Sequence, residues 1–122
     1  MLKISLLNGI FWLLASQLHA QKIDSIYFHL YTDSLKKGVH NYINVDGKMA
    51  NGRFLPLDNR QIIFWSDAGR WEGNDLILDS NFQGESVKIR ATLRENPMLT
   101  REILIYIKKK PDPEYLPPPL SL

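Results

Sequence analysis

Nucleophilic catalysis needs a nucleophile, a general base and a group that orients the base. Beyond residue 20 the chain offers His29 and His40, several serines and a spread of aspartates for that purpose. Their spacing does not assemble such a set. Neither Ser25 nor Ser34 stands in a G-x-S-x-G elbow, and His29, flanked by Phe28 and Leu30, is expected on the solvent side of a strand. Metal binding would fall to Asp67, Glu72, Asn74, Asp75 and Asp79, which lie within thirteen residues. Calcium takes about six to eight oxygens, but this spacing fits no D-x-[DN]-x-[DN]-G loop. Two histidines without a nearby carboxylate or cysteine pattern do not make a zinc set either. The five residues read as solvated turn formers. No catalytic, cofactor-binding or metal-ligating residue is therefore assigned, no cofactor is expected, and the protein is expected not to be an enzyme. What remains is recognition. Lys88, Arg90 and Arg94, continued by Lys108 to Lys110, form a basic stripe that either meets an acidic polysaccharide or is a solvated sheet face. Tyr27, Tyr31, Tyr42 and Trp71 are stacking platforms for a carbohydrate or surface ligand if they are exposed.

The frame for these side chains is read from apolar residues recurring with period 2 between Gly, Asn, Asp and Pro. Seven strands are expected, at 23–32, 39–46, 61–66, 70–72, 76–78, 86–94 and 101–108. The first aligns Ile26, Phe28 and Leu30, and the second aligns Val39, Ile43 and Val45 with Asn41 interrupting the row. Val87, Ile89, Ala91 and Leu93 point inward along 86–94, opposite Lys88, Arg90, Thr92 and Arg94. Ile103, Ile105 and Ile107 share a face opposite Leu104 and Tyr106. Asp46-Gly47, Asn51-Gly52, Gly69, Gly73, Gly84 and Asn96-Pro97 supply the breaks. No segment has helical periodicity. Short strands at about ten-residue spacing indicate an all-β, antiparallel Greek-key sandwich, with a small closed barrel as the alternative. Between sheets about 10 Å apart, Trp65 is expected to centre the core. The competing arrangement places Phe64 inside and Trp65 outside.

Composition sets the compartment. Lys3 precedes an apolar run from Ile4 to Ala15, and Leu18-His19-Ala20 closes it, so residues 1–20 read as a signal peptide cleaved before Gln21. That run is too short for a spanning helix, which needs about 20 apolar residues. Without cysteine no lipid-anchored precursor and no disulfide are expected, so packing alone is expected to hold the domain. Removing Lys3 from the fifteen basic residues leaves fourteen against thirteen acidic ones, a balance that argues against nucleic-acid or membrane-surface binding. Residues 21–108 are expected to form one domain, with no stable membrane span after cleavage. Residues 109–122 hold five of the seven prolines and are expected to be extended or disordered, with Leu116-Pro117-Pro118-Pro119-Leu120 available to an aromatic groove on a partner.

From Lys37 to Lys108 the chain resembles bacterial immunoglobulin-like (Big-type) domains of exported and surface proteins. The resemblance is carried by Gly38, Ile43-Asn44-Val45-Asp46-Gly47, Asn51-Gly52, Pro56-Leu57, Ile62-Ile63-Phe64-Trp65-Ser66, Gly69, Gly73, Leu76-Ile77-Leu78, Val87-Lys88-Ile89-Arg90-Ala91-Thr92 and Ile103-Leu104-Ile105. It implies an immunoglobulin-like sandwich. The expected protein is an exported, non-enzymatic, periplasmic or secreted module that binds another envelope or surface protein through a sheet edge, a loop end or the proline-rich tail. A carbohydrate- or surface-ligand-binding module is the alternative.

Overall fold

The structure, a computed structural model, describes residues 22–110. The signal-peptide expectation and residues 111–122 of the proline-rich segment lie outside the described residues. Among the described residues ten strands form: β1 (Ile23–Phe28), β2 (Ser34–Leu35), β3 (His40–Tyr42), β4 (Val45–Met49), β5 (Phe54–Leu57), β6 (Ile62–Ser66), β7 (Arg70–Glu72), β8 (Asp75–Ile77), β9 (Ser86–Leu93) and β10 (Thr100–Ile107). The described residues contain no helix, so none is long and apolar enough to cross a membrane.

The strands make three sheets, ordered β1-β4-β5, β2-β10-β9-β6 and β3-β8-β7, and none closes into a barrel. Every pairing is antiparallel except the two-residue parallel contact of β2 with β10. The four-stranded sheet is the floor of a β-sandwich. Its inward row Val87, Ile89, Ala91 and Leu93 is fully buried, as the alternation along β9 requires. One half of that floor, with Ile62, Ala91 and Leu93, packs on Ile23, Ile26, Val45, Met49 and Leu57 of the β1-β4-β5 sheet. The other half, with Val87, Ile89, Ile105 and Ile107, packs on Ile43, Leu76 and Leu78 and on Leu35 at its edge. Phe28 and Phe64 touch both clusters and join them into one core. Full burial of each such aliphatic side chain contributes about 1.5–3 kcal/mol.

Several sequence expectations change. The expected 39–46 strand is two strands in different sheets, and the chain crosses between them at Ile43-Asn44-Val45, all three buried. Val39 is consequently exposed. The first strand ends at Phe28, and β2 and β5 were not foreseen. Pro56 disguises β5, yet proline suits an edge strand, where a missing amide leaves no inner ladder position empty. Asp46-Gly47 is not a turn: Gly47 lies inside β4, and a Cβ there would come within 2.8 Å of Leu57 Cδ1. Trp65 is not the centre of the core. The ladder pairs Phe64 with inward-facing Ala91 and Trp65 with Arg90, so Phe64 turns inward and Trp65 lies 43% exposed on the outer face.

Candidate functional site

The outward face of the β1-β4-β5 sheet begins a row of rings. Cross-strand register sets Ser25 beside Lys48 and Tyr27 beside Asp46, and then Lys48 beside Phe54 and Asp46 beside Pro56. Side chains opposite one another stand about 4.5–5.5 Å apart at Cβ, and diagonally the Tyr27 and Phe54 rings meet at 6.2 Å. His29, two residues beyond Tyr27, continues the row and lies 5.7 Å from Tyr31. Tyr31 in turn lies 6.1 Å from Tyr42 on β3, with the two ring planes only 6° from parallel. Phe54, Tyr27, Tyr31 and Tyr42 are 57%, 39%, 70% and 48% exposed, so their rings are available to a ligand. A shallow groove lined by Leu30, Thr32, Asp33 and Ser34 opens beside Tyr31.

Polar groups lock the row. Asp46 accepts from Asn44 Nδ2 at 2.9 Å and lies 2.9 Å from His29 Nδ1. Asn44 is fully buried and receives the Tyr42 hydroxyl at 3.4 Å. Arg101, near the start of β10, donates from Nε to the Ile26 carbonyl and lays its guanidinium 4.8 Å over the Tyr27 ring. Lys48 Nζ sits 6.0 Å over Phe54. The two phenols on either side of His29 differ electrically. A hydrogen bond from Ser25, helped by the charges of Arg101 and Lys48, holds the Tyr27 hydroxyl below the usual phenol range. Burial, helped by Tyr31 and the carboxylates of Asp46, Asp75 and Asp58, pushes Tyr42 up.

The other sequence candidates are placed elsewhere. Trp71 is not a platform: its ring stacks on Phe64 at 4.6 Å, and its Nε1 donates to Ser66 Oγ. The basic stripe is largely engaged, with Arg90 stacked on Trp65 and bonded to Glu102 at 2.7 Å, and with Arg94 Nε donating to the Asn59 carbonyl. Asp67 accepts the Lys88 amide and Asp79 that of Asn81. Asn74, expected in a solvated turn, is buried and donates to the carbonyls of Ile43 and Leu57. His40 lies between Asp75 at 3.0 Å and Glu72 at 3.6 Å. Among the described residues no three His, Asp or Glu side chains converge to hold a metal, and neither His29 nor His40 is hydrogen-bonded to a serine or threonine hydroxyl. Sequence reasoning missed Phe54, Lys48 and Arg101. Phe54 was hidden in the unforeseen β5, and Arg101 reaches the site only because β10 runs alongside β1.

A β-sandwich bearing an exposed row of aromatic rings on one layer is thus the class that the fold and site define. No protein-family model matches the chain, and no curated protein or solved structure is found to be similar to it.

Proposed function

We propose that the protein is a non-enzymatic glycan-binding β-sandwich module, exported by residues 1–20 and related in design to bacterial immunoglobulin-like domains. The observation that carries this reading is the exposed set of rings on one face, in which Phe54 meets Tyr27 at a 54° tilt and His29 meets Tyr31 at 50°, with Tyr31 parallel to Tyr42. The apolar faces of a sugar ring stack on such aromatic planes, while the exposed His29 imidazole beside them reaches its hydroxyls. Burying rings this large on a ligand supplies affinity, and locking them beforehand lowers the ordering cost. Affinity electrophoresis of the full chain through gels containing dextran, xylan, polygalacturonate or dextran sulfate tests it. At least one polymer should retard the wild type, and Tyr31→Ala should abolish that retardation without lowering the unfolding midpoint. Unchanged mobility in every gel overturns the reading.

The second reading, an accessory module that binds another envelope protein, is favoured by a different surface. Ile63, Trp65, Leu104 and Tyr106 are all exposed on the outer face of the four-stranded sheet. An interface there would bury Trp65 as its anchor. Trp65→Ser would then release a partner that Tyr31→Ala retains.

A further inference from the structure

We infer that the platform takes an acidic glycan, one whose sugars carry carboxylate or sulfate groups, and that the Tyr27–Phe54 end reads the charge; this rests on the glycan-binding reading. Three arginines of the domain sit on carboxylates: Arg60 on Asp58, Arg70 on Glu72 and Arg90 on Glu102, each at 2.7 Å. Lys48 and Arg101 are held differently. Each lies over an aromatic ring of the platform, and among the described residues neither has a carboxylate in ion-pair contact. Arg101 is fixed in place by its Nε bond to the Ile26 carbonyl, so its remaining guanidinium edge is presented rather than free to swing.

The platform's own acid, Asp46, is hydrogen-bonded by Asn44 Nδ2 and lies against His29 Nδ1, and it makes no ion pair with either cation. A sugar stacked on Tyr27 or Phe54 would carry its pendant anion beside both positive groups. Guanidinium and ammonium donors bind carboxylate and sulfate oxygens through charge-assisted hydrogen bonds. The Lys88-Arg90-Arg94 stripe, whose two arginines are engaged within the domain, is thus not the surface inferred for an acidic polysaccharide; the opposite layer is.

The full chain is titrated with polygalacturonate, dextran sulfate and neutral dextran, at low and at physiological salt. Acidic polymers should bind roughly tenfold more tightly than dextran, the equivalent of one charge-assisted pair, and should weaken as salt rises. Lys48→Gln should cut acidic binding by about fivefold and so narrow the preference for acidic polymers over dextran, whereas Tyr31→Ala should abolish binding of every polymer. Retention of polygalacturonate alone would assign the ligand to uronates, and of dextran sulfate alone to sulfated glycans. Equal affinity for dextran, or Lys48→Gln behaving as wild type, overturns the charge inference while leaving the platform intact. Failure of all three polymers to bind overturns the charge inference, and with xylan also unbound it overturns the platform reading as well.

Discussion

Asn74 looked like one of several loop carboxylates and amides, and it is instead a tie buried in the layer. Its Nδ2 donates to two carbonyls, Ile43 at the sheet-crossing corner and Leu57 at the end of β5, while its own carbonyl accepts the Ile43 amide. Truncation leaves two buried acceptors without a donor, and each such loss costs about 1–3 kcal/mol. Asn74→Ala is therefore expected to lower stability by at least about 2 kcal/mol, measured as a shift in the urea midpoint at constant slope. The identity of Asn74 was visible but its burial was not, because turn formers are usually solvated. Trp65 teaches a similar lesson. In the run Ile62-Ile63-Phe64-Trp65 both parities are apolar, so periodicity cannot choose the inward one. The partner strand chooses it, since Ala91 and Leu93 leave room only for Phe64 and Ile62 opposite them.

Long strands with clean alternation were legible: β9 and β10 match the sequence expectation to within a residue or two at their ends. Short strands whose existence depends on neighbours were not. β2 has two residues and forms only because β10 offers an edge, and β5 carries a proline. The 39–46 stretch failed for a different reason, as a strand that changes sheets keeps its apolar residues but not their common face. Turns obeyed backbone chemistry where φ is positive. Gly69 joins β6 to β7 at φ 86°, and a Cβ there would lie 2.8 Å from the Ile77 carbonyl oxygen. Left-handed backbone alone costs a non-glycine residue about 1–2 kcal/mol, and contact with a backbone atom cannot be relieved by a rotamer change. Gly69→Ala is expected to lower stability by at least that amount, and a thermal melt that matches wild type would refute the account.

At the scale of the molecule, the all-β class and the sandwich followed from strand length and spacing, whereas the division of one layer into two small sheets did not. No local pattern encodes it, because it depends on where the buried corner at Ile43-Asn44-Val45 falls. The candidate site inherits that division. Tyr27 and Phe54 belong to the β1-β4-β5 sheet and Tyr42 to the β3-β8-β7 sheet, with His29 and Tyr31 between them.

The row therefore straddles a seam. A chain of sugars lying along it would act as an external splint, resisting the independent opening of a sheet whose strands have only three residues each. Amide exchange at Asn41 and Leu76 should slow on saturation with a bound polymer, although neither residue is part of the row. A ligand held only at the Tyr27–Phe54 end would leave those amides unchanged.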